Sequence, residues 1–400
     1  MATSLFAGVA MAPRDPTLGP TEAFNRDVDP NRVNLGVGIY LTDEGRIPIL
    51  RAVAEAEQRQ AAIAAPRGYL PIDGIAAYDT AVQKLLLGES SPLIAAGRAI
   101  TAQSLGGTGA LKIGADLLKK VLPDASVAIS DPTWENHRAV FESAGFPVVT
   151  YPYYDANTRG VRFDAMVAFL RTLAPRTIIV LHACCHNPTG ADLTADQWQA
   201  LLEVLREHDL LPFLDIAYQG FARGIEEDGA VVRQFAQSGM PLLIASSFSK
   251  SFSLYGERVG ALTIIDGSQD ESARVLSQLK RVIRANYSTP PTHGGAVVTT
   301  VLTTPQLRAS WIVELTEMRE RIRHMRSALV ERLQVHGAKR DFSFVLSQNG
   351  MFSYSGLTAE QVDHLREEFH IYAVSTGRIC VAALNSRNVD YVAKAITAVL

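Results

Sequence analysis

The run Leu242-Leu243-Ile244-Ala245-Ser246-Ser247-Phe248-Ser249-Lys250 decides how this chain is read. Residues 242–245 are apolar without alternation, as in a strand buried on both faces. The polar turn after them ends in a lysine. Four further apolar runs of strand length are present. Residues 126–129 run into Ser130-Asp131-Pro132, residues 177–181 into His182-Ala183-Cys184-Cys185-His186-Asn187-Pro188-Thr189-Gly190, and residues 211–214 into Asp215; residues 259–265 form the fourth. Amphipathic stretches lie between them. In residues 194–207, Trp198, Leu201, Leu202 and Leu205 recur at helical spacing, with Thr194 or Asp196 as the cap. Strand alternating with helix predicts an α/β fold: a mainly parallel central sheet with helices on both faces.

The C-terminal part reads differently. A long charged helix is expected over 305–335, followed by short strands (342–346, 351–355, 379–382) and helices (359–369, 389–400), which make a smaller α+β domain. With 400 residues the chain exceeds what one core of ~250–300 residues holds. The expected division is an N-terminal arm over 1–13, a small domain from 14–47 and 318–400, and a large domain over 48–317. Formal net charge is −3 with 20% charged residues and no charge block, so a nucleic-acid-binding tail is not expected. No apolar run approaches the ~20 residues that span a bilayer, so no membrane association is expected. The first cationic side chain is Arg14, so the start lacks the basic region of a secretory signal. Three cysteines, two adjacent (Cys184, Cys185, Cys380), make a poor disulfide framework and suit a reducing compartment; the expected location is the cytoplasm.

In open α/β sheets ligands bind beyond the carboxyl ends of the strands, and most of the unusual polar residues here stand at such ends. Lys250 in a cleft, desolvated and near other cations, has a lowered pKa and a free amine suited to imine formation. Arg258, in Leu254-Tyr255-Gly256-Glu257-Arg258-Val259-Gly260, returns a cation toward the same place as a phosphate anchor requires. Gly106-Gly107-Thr108-Gly109 precedes a helix over 110–121; amides at a helix start with the Thr108 hydroxyl form an anion site, although neither a P-loop nor a GxGxxG pattern is present. Asp215 ends a buried strand and needs a partner. Tyr218, Asn187, Arg378 and Arg284 are further candidates, the arginines for carboxylates. Each residue alone has a plainer explanation: a surface lysine, a capping aspartate, a core tyrosine, a structural turn, an exposed arginine. His182, Cys184, Cys185 and His186 are zinc-ligand types, but adjacent cysteines do not match the usual spacing, and no metal is expected.

Together these stretches resemble the fold-type I pyridoxal-phosphate enzymes, and within them the aspartate/aromatic (class I) aminotransferases. The resemblance runs from Val33-Asn34-Leu35-Gly36-Val37-Gly38-Ile39-Tyr40 to the C-terminus, through Gly68-Tyr69-Leu70-Pro71-Ile72-Asp73-Gly74 and Asp131-Pro132-Thr133-Trp134-Glu135-Asn136-His137. It implies roles at the matching positions. Lys250 would hold pyridoxal 5'-phosphate as a Schiff base and move the Cα proton. Asp215, steadied by His137, would pair with the ring nitrogen, and Asn187 and Tyr218 would bind the phenolic oxygen. Trp134 would stack on the ring; Gly107, Thr108, Ser247, Ser249 and Arg258 would surround the phosphate. Tyr69 would reach the cofactor of a neighbouring subunit, which implies a homodimer with shared sites. Arg378 would grip the α-carboxylate of the amino acid or 2-oxo acid substrate, Arg284 of the partner chain would meet a distal carboxylate, and Gly38 and Phe352 would line the pocket.

Arg284 favours aspartate and glutamate, while several stretches are more similar to the bacterial tyrosine branch, among them Gly190-Ala191-Asp192-Leu193-Thr194, Leu211-Pro212-Phe213-Leu214-Asp215-Ile216 and Met351-Phe352-Ser353-Tyr354-Ser355. The expectation is a dual-specificity aminotransferase with aromatic activity favoured; the alternative is an aspartate aminotransferase with little aromatic activity. A lyase or decarboxylase on the same fold is a competing class, against which the paired arginines speak. A metabolite-binding module with a decayed site would lack Lys250, Asp215 or Arg378, and all three are present.

Overall fold

The computed structural model describes residues 4–12, 18–66 and 68–400, with Leu18 described by its backbone alone; Arg14 and part of the 1–13 arm lie outside the described residues. Seven strands form the central sheet: β1 (Ala99–Leu105), β2 (Val127–Asp131), β3 (Val148–Pro152), β4 (Ile178–His182), β5 (Leu211–Ile216), β6 (Leu242–Ser247) and β7 (Val259–Ile265). Their order is β1-β7-β6-β5-β4-β2-β3. From β6 through β3 neighbours are parallel; β7 runs antiparallel to both β1 and β6.

The continuous apolar runs have a simple consequence. Successive side chains on a strand point to opposite faces, and here both faces are dry. Ile178 and Val180 of β4 enter one core while Ile179 and Leu181 enter another; Leu243 and Leu242 of β6 divide the same way. One core is closed by helices Gly106–Val121, Asn136–Ser143 and Gln269–Asn286. The other is closed by helices Ala76–Leu87, Ala195–Glu207 and Pro305–Val335 among others. No helix among the described residues is long and apolar enough to cross a membrane.

The direction of the strands positions the site. Strands β1, β2, β4, β5 and β6 end on one edge of the sheet, and β7, running the other way, begins there: Val259 pairs with Leu105, Gly260 with Ser247, and His182 with Asp215. The structure extends β5 and β6 two residues past the apolar runs, to Ile216 and Ser247. Asp215, Ser246 and Ser247 therefore belong to the sheet and are held by its ladder. The helix expected over 110–121 begins at Gly106, so the glycine-rich segment is its first turn.

The C-terminal part follows the expectation with two exceptions, one being that the strand expected over 379–382 stops at Cys380 and passes into the 3₁₀ turn Val381–Ala383. Helices Pro305–Val335 and Ala359–Phe369 form as read, and the last helix is Val389–Ala398. Strand Phe352–Tyr354 pairs with Arg378–Cys380, and Val33–Asn34 pairs with Ile371–Tyr372. Residues 342–346, expected as a strand, instead hold the 3₁₀ turn Ser343–Ser347. Burial there recurs every third residue, at Phe342, Val345 and Gln348, which is the 3₁₀ period. The Asp341 carboxylate starts the turn by accepting from the Ser343 amide at 2.8 Å.

Thr194 is the cap of helix Ala195–Glu207, in a reciprocal box with Gln197. Asp228 organises the loop after β5: its carboxylate accepts from the amides of Gly220 (2.8 Å), Ala222 (3.0 Å) and Arg223 (2.9 Å). Removing it in Asp228→Ala strands the buried amides of Gly220 and Ala222 and the part-buried amide of Arg223. The expected cost is roughly 3 kcal/mol or more of stability, read as a fall in the thermal unfolding midpoint, with Asp228→Asn retaining most of the lost stability.

Candidate active site

A cavity of about 260 Å³ opens at the carboxyl edge of the sheet. Its lining takes Gly107 and Thr108 from the helix after β1, Asp215 and Tyr218 from β5 and its loop, and Ser247, Ser249 and Lys250 from β6 and its turn. Trp134, Asn187, Arg258, Gly38, Phe352 and Arg378 complete the set named from sequence. Of the remaining expected residues, His137 stands behind Asp215. Tyr69 (97% exposed) and Arg284 do not line this cavity; the Arg284 guanidinium donates to the Ser288 hydroxyl.

Asp215 is the anchor of the electrostatics. It is 5% exposed, and its Oδ2 lies 3.1 Å from His137 Nε2. A carboxylate only accepts, so that nitrogen carries the proton. His137 Nδ1 lies 2.8 Å from the Thr133 hydroxyl, which fixes the ring, and the Trp134 indole packs edge-on at 5.4 Å. Burial works to raise the Asp215 pKa, but the His137 bond, the neighbouring imidazoles and the Lys250 amine outweigh it and hold the carboxyl below its ordinary range.

Lys250 is partly buried, its Nζ 5.2 Å from the centroid of the Tyr218 ring. Burial brings its pKa down to about 8, with the charges of Arg258 and Arg378 acting the same way against the pull of Asp215. The lysine turn is anchored from behind: Trp311 Nε1 donates to the Ser251 carbonyl at 2.7 Å, and Phe252 stacks on the Trp311 ring at 4.7 Å. Tyr218 is raised by burial above the ordinary phenol range and so keeps its proton.

One end of the cavity is the helix start, where the first amides lack intrahelical partners. Gly106 adopts φ +69°, and a Cβ there would sit 2.7 Å from Arg258 Nη2, so glycine is required for this close approach. Arg258 Nη1 donates to the Tyr255 carbonyl (3.0 Å) and the Ser249 hydroxyl (3.4 Å). The Ser249 amide donates to Ser247 Oγ at 3.3 Å.

At the other end, Arg378 is 1% exposed without a carboxylate partner. Its Nη2 donates to the Gly36 carbonyl at 2.7 Å and its Nη1 to Asn187 Oδ1 at 3.2 Å; its Nε is buried and unbonded. The guanidinium lies 4.4 Å over the Phe352 ring, a cation–π contact. Gly38 faces the same ring, where a Cβ would stand 2.9 Å from Cζ. Asn187 is fixed through its loop: Asp192 accepts from the amides of Cys185 (3.0 Å) and His186 (2.8 Å) and from Asn349 Nδ2 (3.0 Å).

His182 and Tyr255 line the cavity without having been assigned a role there. The signal for His182 was available, since it closes a strand at the active edge. Burial brings its pKa down to about 3, so it is a neutral imidazole between His137 (4.9 Å) and His186 (4.5 Å). The Tyr255 hydroxyl accepts from the Tyr40 amide at 2.9 Å and so steadies the segment that carries Gly38. The zinc-type run does not converge as one set: His186 bonds Ser130 and Thr189 with its two nitrogens, and burial pushes the Cys185 thiol well up.

One consequence is directly measurable. In protein freed of small molecules, Lys250 is protonated and unreactive well below pH 8 and a free amine above it. Its acylation rate by an amine reagent, followed by peptide mass spectrometry, is expected to reach half its limit near pH 8. A midpoint near 10.5, the ordinary lysine value, contradicts the site's electrostatics.

Comparison with known proteins bears on this geometry. Residues 30–396 match the family model "Aminotransferase class I and II". The chain is 66% identical to the aspartate aminotransferase of Pseudomonas aeruginosa, over 99% of this chain and 100% of that protein. It is 52% identical to the aromatic-amino-acid aminotransferase of Escherichia coli, over 96% and 98%. The crystal structure of an aromatic-amino-acid aminotransferase from Burkholderia pseudomallei, covalently bound to pyridoxal phosphate, superposes with a TM-score of 0.97 at 67% identity, covering all of both chains. The chain belongs to the class I and II aminotransferases, with their fold-type I architecture.

Proposed function

We propose that this protein is a pyridoxal-phosphate-dependent aminotransferase that moves the amino group of aspartate, glutamate and aromatic amino acids to 2-oxoglutarate or another 2-oxo acid, in ping-pong fashion. The observation that carries the reading is the opposition of two desolvated groups in one cavity: the Asp215 carboxylate held charged and the Lys250 amine held near neutrality.

The residues fit the cofactor. A phosphate suits the helix start at Gly107 and Thr108 with Ser247, Ser249 and Arg258 around it. Asp215, buried and charged, needs a cationic partner from the ligand, and a protonated pyridine nitrogen is one. When bound, pyridoxal phosphate supplies the carbonyl that takes the amino group and a ring that stores the electron pair of the broken Cα–H bond. The protein does the rest. Lys250 Nζ, unprotonated, would take the Cα proton and, as the ammonium so formed, deliver it on the same face to the cofactor carbon bonded to the transferred nitrogen. Tyr218 would donate from its hydroxyl and Asn187 from its amide to the phenolic oxygen, and Trp134 would cover the ring, all three lining the cavity. Arg378, which lines the cavity without a carboxylate partner, would orient the α-carboxylate through its guanidinium, and the Gly38 and Phe352 walls would exclude water from the reacting carbon.

The active unit is proposed to be a homodimer in the cytoplasm. Tyr69 and Arg284 stand outside their own cavity, which supports their action in that of a partner, and the exposed Leu5, Phe6 and Met11 of the arm give apolar surface for a second copy. The proposed domains are the arm over 1–13, the small domain of 14–47 with 318–400, and the large domain of 48–317; pairing of Val33–Asn34 with Ile371–Tyr372 supports joining the two small-domain pieces.

Dual specificity follows from separating the two ends of the substrate. Arg378 serves every amino acid, and Arg284, held by one hydroxyl, is free to meet a distal carboxylate or to swing aside for a ring. The test is kcat/KM for aspartate, tyrosine and phenylalanine with 2-oxoglutarate. Turnover of all three is expected. In Arg284→Leu, aspartate is expected to lose roughly 30-fold or more, the scale of a lost desolvated charge pair, while tyrosine changes less than about tenfold. Negligible turnover of both aromatic substrates refutes dual specificity and leaves aspartate aminotransferase alone. A second expectation concerns Lys250→Ala, which removes both the visible absorbance of the cofactor-loaded protein and transamination; retained activity in that variant refutes the assignment.

A further inference from the structure

A second cavity, of about 370 Å³, opens between the loop after β5 and the turn that precedes strand Phe352–Tyr354. Its volume is within the range of small-molecule sites. Helix Pro305–Val335 supplies one wall with Arg319, Ile322, Arg323 and Arg326, which share a face at helical spacing. Phe221 and Leu346 supply apolar surface, and Gln348 closes the lining.

Three like charges on one helix face repel one another, and among the described residues Glu320 is the one carboxylate in ion-pair contact with any of them. Glu320, half-exposed, pairs with Arg319 at 3.4 Å and Arg323 at 2.9 Å. Arg326 has only neutral partners: the carbonyls of Val345, Gly350 and Phe352 and the Ser353 hydroxyl. Asp192 acts on Arg326 through space, while the Asp192 and Asp228 oxygens bond to backbone amides and Asn349 rather than to the arginines. The remaining contacts of Arg319 and Arg323 are to the Gly220 carbonyl (3.1 Å), the Thr316 hydroxyl (3.4 Å) and the Ala222 carbonyl (2.7 Å). Each guanidinium has five N–H donors, so both retain donors for a ligand.

Gln348 points to what that ligand is. It is 4% exposed, and neither its Oε1 nor its Nε2 has a hydrogen-bond partner. A buried amide left unsatisfied on both atoms is rare and costly. Satisfying it takes a group that both accepts and donates, and the free guanidinium donors of Arg319 and Arg323 at the same cavity select an anionic one.

We propose that this cavity is a second ligand site, taking a compact hydroxylated oxyanion. Anionic oxygens accept from Arg319, Arg323 and Gln348 Nε2, and an O–H donates to Gln348 Oε1. Hydrogen phosphate is a compact molecule of this class; a hydroxycarboxylate such as glycerate presents the same groups. The occupant adjoins the first cavity without sharing its residues. Asn349 donates from its amide to the Gly190 carbonyl at 2.7 Å, and a Cβ on Gly350 would stand 2.5 Å from Cys185 Cβ, so the turn packs on the loop that bears Asn187.

The test is isothermal titration calorimetry of inorganic phosphate and of glycerate into the cofactor-loaded protein, and it reads no step of transamination. Saturable binding of at least one of them, one per chain, is expected. It is expected to weaken at least tenfold in Gln348→Leu and in Arg323→Gln and to persist in Arg378→Lys, with sulfate, which lacks an O–H at neutral pH, at least tenfold weaker than phosphate. Both Gln348→Leu and Arg323→Gln are expected to keep wild-type kcat, which verifies their folding. Absence of saturable binding by both probes overturns the proposal. So does binding unchanged in Gln348→Leu, or binding lost only in Arg378→Lys, which assigns the anion to the first cavity.

Discussion

The hydrogen bond between His137 and Asp215 is the interaction on which the rest of the site depends. Burying a carboxylate ordinarily drives it to take up a proton, and a neutral Asp215 has nothing to offer a cationic ring. The structure opposes that with a chain of fixed partners: Thr133 orients His137, and His137 holds Asp215 at 3.1 Å. The same burial acts in the opposite sense on Lys250, where it favours the uncharged amine. One desolvated cavity thus sets an acid and a base to the two states that transfer of an amino group requires.

That arrangement is rigid because its loops are tied to buried groups rather than to solvent. Asp192 gathers the loop that ends in Asn187, Asp228 gathers the loop that follows Tyr218, and Trp311 fixes the turn of Lys250. Arg326 spends four N–H groups on the segment that delivers Phe352. Preorganised groups of this kind need little reorganisation when charge develops on the substrate.

Much of this was legible in the sequence, for a physical reason. Strands buried on both faces are continuous apolar runs, so their ends are visible, and a parallel sheet delivers those ends to one edge. Lys250, Asp215 and Asn187 were therefore identifiable, Arg378 was legible only through the family resemblance, and the structure brings all four to one cavity. Strand β1 was hidden because it carries Thr101 and Gln103, which are satisfied inside the sheet: Thr101 pairs with Thr263 at 2.8 Å, and Gln103 donates to the Pro291 carbonyl at 2.8 Å. Edge strand β3 lacks the continuous buried run, with Val149 and Thr150 exposed. Residues 342–346 misled because an apolar segment of that length has no clear period until tertiary packing chooses one. Gln348 gave no signal at all, since only the fold shows an amide to be buried and unpaired.

The central claim is that a charged Asp215 is what makes the cavity a cofactor site and an efficient one. Equilibrium dialysis of pyridoxal phosphate against wild type and Asp215→Ala, paired with aspartate turnover at saturating cofactor, tests it most directly. The account predicts weaker cofactor binding in the variant and a loss of more than about a hundredfold in kcat even when the cofactor is saturating. Equal affinity together with undiminished turnover in Asp215→Ala contradicts it.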